Sequence, residues 1–260
     1  MGPVDLSAFV HELATVSGRA ILPFFRTALT AENKARGGLF DPVTEADRAA
    51  EVAMRRLILQ SFPEHGIVGE EFGTERGDAD LVWVLDPIDG TRAFMSGLPL
   101  WGTLIGLLSS GRAAYGMMHQ PFIGERFFGD GHRAGYEGPH GSRVLRTRRC
   151  DNLGQATLST TSPNIFEPAE GAAYGRVEAE VRLTRYGCDC YAYCMLAAGH
   201  IDLVVEAGLK PYDIVALVPI IEGAGGVVTT WDGGRPESGG AIVASGDPRL
   251  HATVLDILRG

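Results

Sequence analysis

The chain has 260 residues, 45% of them hydrophobic, with 35 glycines and a formal net charge of −9 at pH 7. The acidic balance excludes a general nucleic-acid or anionic-membrane surface, because phosphate backbones demand concentrated Lys and Arg. No apolar run approaches the roughly 20 residues needed to span a bilayer. The length exceeds one ordinary domain, yet no Pro/Ser-rich linker or low-complexity tract divides the chain, so two intimately packed lobes are expected, residues 1–150 and 151–260. Met1 to Val10 carries Asp5 and no basic stretch, so no secretory signal is read there and a cytoplasmic location is expected.

In chain order, Leu6, Phe9, Val10, Leu13 and Val16 recur at helical spacing and predict a helix from Asp5 to about Phe25. A flexible Gly37-Gly38 segment leads into a second helix over about Asp47 to Gln60. Strands are then expected at Leu81–Leu85, Gly102–Leu108, Ala113–His119 and Arg126–Phe128. The second half alternates strand (Thr157–Thr160), helix (about Asp189–Ala198), strand (Ile201–Val205), helix (Ile214–Glu222) and strand (Val227–Thr229). Pro219 is expected to kink the last of these helices. The basic run Arg143 to Arg149 reads as a solvated strand face. Cys188, Cys190 and Cys194 lack a paired C-x2-C zinc signature and read as structural thiols, as a reducing cytosol would keep them. The pattern alone gives a mixed α/β fold.

The chemistry concentrates in acidic turns. Trp83-Val84-Leu85-Asp86-Pro87-Ile88-Asp89-Gly90-Thr91 sets two carboxylates three residues apart after a buried strand, and Pro87 and Gly90 then force a tight turn. Asp86 and Asp89 can face one cation while the amides of Gly90 and Thr91 face an anion. Asp41-Pro42-Val43-Thr44-Glu45-Ala46-Asp47, Gly69-Glu70-Glu71 and Lys210-Pro211-Tyr212-Asp213 are weaker signals, since Thr44 with Asp47 also reads as a capping box and Asp213 as an N-cap. A site of this charge repels a phosphate ester until a divalent cation reverses the local field.

Together, DPVTEAD at 41–47, GEE at 69–71, WVLDPIDGTRAF at 83–94 and YDIVALVPIIEGAGG at 212–226 resemble the inositol monophosphatase superfamily of magnesium-dependent, lithium-sensitive phosphatases. The stretches at 91–107 and 185–213 look like bacterial-type histidinol-phosphate phosphatases. The resemblance implies a layered αβαβα sandwich of the inositol monophosphatase and fructose-bisphosphatase type. It implies two or three Mg²⁺ per site: one on Glu70, Asp86 and the carbonyl of Ile88, and another on Asp86, Asp89 and Asp213. Catalytic roles then fall to Thr91, Asp47 and Glu70, with Thr91 hydrogen-bonded to Asp47 to orient and help deprotonate a metal-bound water, and phosphate is held by the amides of Gly90 and Thr91. A homodimer and inhibition by Li⁺ are implied in the same way.

For the substrate, Asp189 stands where inositol-type relatives carry a small residue, and a carboxylate there suits the cation of L-histidinol; its alternative is a helix cap. Glu206 matches the family's contact to a substrate hydroxyl or amine. Tyr212 and Cys188 depart from the inositol-type pattern without touching the metal ligands. Trp101 reads as a core residue or a pocket border, and His65 and His119 as structural. Three functions follow: a histidinol-phosphate phosphatase of histidine synthesis; an inositol monophosphatase or 3′-phosphonucleotide phosphatase; and a non-catalytic regulatory protein that keeps the fold. The last is disfavoured by the complete set of carboxylates and by the acidic charge.

Overall fold

Asp5 starts the first helix, its carboxylate accepting hydrogen bonds from the amides of Ser7 and Ala8 at 3.0 and 3.3 Å. The computed structural model describes residues 5–27, 32–33, 42–43 and 45–260. Met1–Val4, Gly37-Gly38, Asp41 and the proposed Thr44 cap lie outside the described residues. Helix α1 runs Leu6–Ile21, shorter than expected, because Pro23 cannot supply the N–H that the next turn needs. Two short strands, β1 (Glu32–Asn33) and β2 (Pro42–Val43), pair antiparallel. Helix α2, Glu45–Ser61, buries Ala46, Asp47, Ala50, Glu51, Met54 and Ile58 along one face.

The larger sheet follows from β3 (Gly66–Gly69), β4 (Gly73–Glu75), β5 (Leu81–Asp89), β6 (Gly102–Ser109), β7 (Arg112–Gln120), β8 (Glu125–Gly129), β9 (Ala134–Gly138) and β10 (Gly141–Val144). Its order is β10-β9-β8-β7-β6-β5-β3-β4, antiparallel except for β3 beside β5. A smaller sheet combines β11 (Thr157–Thr160), β12 (Leu183–Tyr186), β13 (Leu203–Leu209), β14 (Val227–Thr230) and β15 (Gly240–Ser245) in the order β12-β11-β13-β15-β14. The remaining helices are α3 (Thr91–Met95), α4 (Pro168–Glu178), α5 (Asp189–Ala197), α6 (Pro211–Ile214), α7 (Leu217–Gly223) and α8 (Pro248–Arg259).

Five layers result. Helices α1 and α2 cover one face of the large sheet through Phe9, Leu13, Met54, Ile58, Trp83 and Leu85. Helices α5 and α7 fill the space between the sheets with Tyr193, Leu196, Ile220 and Ile221, and α4 and α8 close the far face of the small sheet. This is the expected αβαβα sandwich. A fully enclosed side chain such as Trp83 or Leu85 contributes on the order of 2–3 kcal/mol. Among the described residues, no helix is long and apolar enough to cross a membrane.

Several expectations change. The helix expected at 214–222 is two pieces, α6 and α7, with Val215 and Ala216 between them; Pro219 leaves the carbonyl four residues back without its donor, so the interruption falls upstream of the proline. Strand β13 begins two residues later than expected and contains Glu206 rather than preceding it. In the basic run the strand ends at Val144; Leu145 is buried and Arg148 makes a two-pronged ion pair with buried Asp202, so only Arg143 and Val144 belong to a solvated strand face. Trp101 is fully enclosed with Phe25 and Phe94, so it is core and not a pocket border. His65 accepts from the Trp83 indole at 3.1 Å, and burial pushes His119 down to about 4, both consistent with structural roles. Cys190 and Cys194 are free thiols buried in the central layer.

Candidate active site

Strand β5 does not turn at Pro87, as the sequence suggested, but continues to Asp89 with a shift of register. Asp86 pairs with Leu104, whereas Asp89 pairs with Gly102. The extra residue sits at Pro87-Ile88, where the missing proline N–H removes no ladder bond. Residues i and i+3 of a regular strand face opposite ways, and the bulge turns Asp86 and Asp89 to the same side. The turn comes one step later at Gly90, whose φ of +85° opens α3. Thr91 Oγ1 donates back to the carbonyl of Ile88 at 3.1 Å.

Other elements bring their carboxylates to the same place. Glu70 follows β3, and its amide donates to the Leu85 carbonyl at 3.2 Å, which fastens the loop to β5. Buried Glu51, one turn beyond Asp47 on α2, accepts from the amides of Glu71 and Phe72 at 2.7 and 3.3 Å and from Arg55 at 2.7 Å. A Cβ on Gly69 would fall 1.9 Å from Glu51 Oε1, so only glycine permits this approach. Asp213 lies in the first turn of α6 and its Oδ2 accepts from the Lys210 amide at 2.6 Å. It is therefore not the N-cap, the position held by Lys210.

Asp86, Asp89 and Asp213 each present a carboxylate oxygen within 4.8 Å of the others. Burial, then the charges of Glu70, Asp89, Asp213 and Asp47, push Asp86 well above the usual carboxylate range. Burial and the charges of Asp189 and Asp213 do the same to Asp89, and burial raises Asp213 to about 7. Three acceptor-only groups so close repel one another unless protons or a cation intervene. Among the described residues, Asp86 Oδ1 is buried with no hydrogen-bond partner. This donor set fits a hard divalent cation, which carboxylate oxygens favour.

The cavity beside them, about 350 Å³, is lined by Glu70, Asp86, Ile88, Asp89, Gly90, Thr91, Asp189, Glu206 and Asp213, all expected from the sequence. Asp47 is buried and its charge acts on Asp86, but it is not part of the lining. Asp189 opens α5 with φ +43°, a conformation that costs a non-glycine residue on the order of 1 kcal/mol. Cys188 holds the N-cap position with no side-chain cap, so the cap reading of Asp189 is set aside. Burial raises Asp189, and raises Glu206 to about 7. Glu206 sits at a second register shift, between its pairing with Ile242 and that of Leu209 with Gly240. Strands β3, β5, β11 and β13 all reach the cavity at their carboxyl ends.

Thr161, Arg92, Lys210 and Glu51 join the site only in the structure. The first three line the cavity. Thr161 carries no local signal, being one of a Thr-Thr-Ser run at a strand end, whereas Glu51 was open to detection as a charge four residues past Asp47 on a buried helix face.

An αβαβα sandwich with a carboxylate-lined cavity at its strand ends defines the layered phosphatase class that the motifs implied. The inositol monophosphatase family model matches residues 4–259, and the chain belongs to this family of phosphatases. It is 45% identical over 264 residues to the bifunctional phosphatase IMPL2, chloroplastic, of Arabidopsis thaliana, covering 97% of this chain and 74% of that protein. It is 33% identical over 216 residues to the histidinol-phosphatase of Chlorobaculum parvum, covering 83% and 82% of the two chains. The solved structure of an inositol monophosphatase from Zymomonas mobilis superposes with a TM-score of 0.87 at 44% identity, covering 97% of each chain.

Proposed function

We propose that this protein hydrolyses L-histidinol phosphate to L-histidinol and phosphate in a Mg²⁺-dependent reaction. The observation that carries the reading is a second pair of carboxylates, Asp189 and Glu206, lining the same cavity as Asp86, Asp89 and Asp213. One acidic group of residues suits a cation and phosphate; the other suits the ammonium of a cationic alcohol. Relatives named histidinol-phosphatase support it.

Mg²⁺ would be held by Glu70, Asp86, Asp89, Asp213 and the Ile88 carbonyl. Bound there, it would supply Lewis-acid polarisation and neutralise charge on the phosphoryl oxygens. Thr91 orients the attacking water and relays its proton, taking it on Oγ1 while passing the hydroxyl's own proton to the Asp47 carboxylate, and the amides of Gly90 and Thr91 hold the phosphate in line. Glu70 completes the acidic wall. Asp189 and Glu206 take the amine of the alcohol and set its direction. Water oxygen bonds to phosphorus as the ester P–O bond breaks, and the departing alkoxide is protonated from solvent; no covalent enzyme intermediate is required. Residues 1–150 supply most of the catalytic groups, and residues 151–260 supply Asp213 and the specificity groups.

A second reading, inositol monophosphate as substrate, draws support from the Zymomonas mobilis relative and keeps the same catalytic groups. Phosphate release from L-histidinol phosphate, inositol 1-phosphate and adenosine 3′,5′-bisphosphate, each with Mg²⁺ and with EDTA, separates the readings. Preference for histidinol phosphate is expected. Preference for either other ester would overturn the substrate and leave the reaction class, and no release from any would favour a non-catalytic role.

A further inference from the structure

The carboxylates of Asp189 and Glu206 come from different elements, α5 and β13, and a third residue stands between them. Thr161, just beyond β11, donates to Glu206 Oε1 from its amide at 2.8 Å and from its hydroxyl at 2.6 Å. The same hydroxyl oxygen lies 3.4 Å from Asp189 Oδ1. Tyr193 adds a 3.4 Å contact to Glu206 Oε2. A hydroxyl has one proton, and the shorter contact to Glu206 takes it, which turns the lone pairs of Thr161 toward Asp189. Two carboxylates and an oxygen lone pair then converge on one side of the cavity, an acceptor set for the several N–H donors of an ammonium group.

We propose that Thr161 is a specificity-determining positioning residue: it clamps Glu206 and fixes its spacing to Asp189 so that the pair accepts an ammonium-bearing phosphate ester. This rests on the cationic-substrate reading above. The geometry supports it twice over. The clamp uses both backbone and side chain of one residue, and the partner carboxylate sits on a residue at φ +43°, a conformation retained where the surroundings enforce it.

The test compares wild type, Thr161→Val and Thr161→Ser on four esters: L-histidinol phosphate and O-phosphoethanolamine, which carry ammonium groups, and phenyl phosphate and methyl phosphate, which offer Glu206 neither an ammonium nor a hydroxyl group. Valine keeps the amide bond and the branched shape but loses the hydroxyl. It is expected to raise KM for the ammonium esters roughly tenfold or more, the loss typical of a charge-assisted hydrogen bond, with kcat and the neutral esters changed less than about twofold. Serine is expected to restore wild-type values. An equal loss on all four esters, or no loss on any, would overturn the role of Thr161. Wild type that favours O-phosphoethanolamine but not histidinol phosphate would overturn the substrate reading alone, and wild type with no preference for ammonium esters would overturn both. Circular dichroism and thermal melts of each variant separate misfolding from loss of the clamp.

Discussion

The backbone amide of Cys190 donates to Oδ2 of Asp89 at 2.6 Å, which ties the first turn of α5 to the end of β5. One carboxylate therefore joins the two sheets' elements at the cavity: Asp89 shares one side with Asp86 and Asp213 and is held on the other by the backbone next to Asp189.

Asp86→Asn should abolish Mg²⁺-dependent phosphate release while leaving the fold intact. Asp86 is fully buried between the other carboxylates, and Asn keeps its shape while removing the charge. In EDTA the variant should melt no lower than wild type, because it relieves like-charge repulsion. Turnover and melting temperature of the same preparations check both parts; retained turnover would remove Asp86 from the catalytic set.

The buried carboxylates should make stability in EDTA fall as pH rises from about 4 to about 7, against His119 and His251, which burial lowers to about 4 and whose contribution therefore grows as pH rises toward 6.5. Asp213 and Glu206 are raised to about 7 in the folded chain from ordinary values of 3.8 and 4.5. The folded state therefore binds these protons more tightly than the unfolded state, so the contribution is complete below the unfolded values and lost through the folded ones. Arg249 holds Asp247 down at about 2, so its opposite contribution is fully present before this window opens. Mg²⁺ should raise the melting temperature more at pH 8 than at pH 5. Glu206→Gln removes one carboxylate's share and leaves that of the histidines, so its melting temperature in EDTA should fall less than that of the wild type between pH 4 and 7; parallel profiles for the two proteins would contradict the packing of this carboxylate.

Asp189→Gly and Asp189→Ala should differ. At φ +43° glycine is unstrained, whereas alanine keeps the cost of that conformation and loses the carboxylate. Both are expected to lose preference for histidinol phosphate, but the alanine variant should be less stable than the glycine variant by roughly 1 kcal/mol. Urea denaturation of the pair measures the difference.

Gly69→Ala should disturb Glu70 through Glu51. The added Cβ would meet Glu51 Oε1 at 1.9 Å and push away the carboxylate that holds the Glu71 and Phe72 amides. A loss of at least about 1–3 kcal/mol in stability is expected from overpacking, with weaker Mg²⁺ binding by calorimetry. Unchanged Mg²⁺ affinity would show that Glu51 supports only the fold.

Much of this was legible because short-range chemistry carries it. The apolar period of α1 and the run of β5 mark single elements from neighbours in sequence, whereas the layers and the cavity walls follow from the family resemblance that the four acidic motifs carry. What escaped depends on distant partners. The bulge that carries β5 through Pro87 exists only because β6 lies alongside, and a turn at Pro87 is the natural local reading. Thr161 matters because β11 and β13 run parallel, joining residues 45 apart at Glu206. The sequence predicts a kink at Pro219, and the interruption instead lies where its missing donor is felt, one turn upstream. Helix α8 could have been read from Leu250, Val254 and Leu258, all on one buried face, whereas α4 buries only Ala173, Tyr174 and Val177 and gives a weak signal.

Asp86, Asp89 and Asp213 are expected to form the cation-binding centre beside which the ester is cleaved. Crystals soaked in Mn²⁺ and inorganic phosphate, with diffraction recorded at the manganese edge, test it most directly. Anomalous density among these three carboxylates, with phosphate at the amides of Gly90 and Thr91, is the result expected. Density elsewhere, or none there in crystals of a protein that turns over with Mn²⁺ in solution, would contradict it.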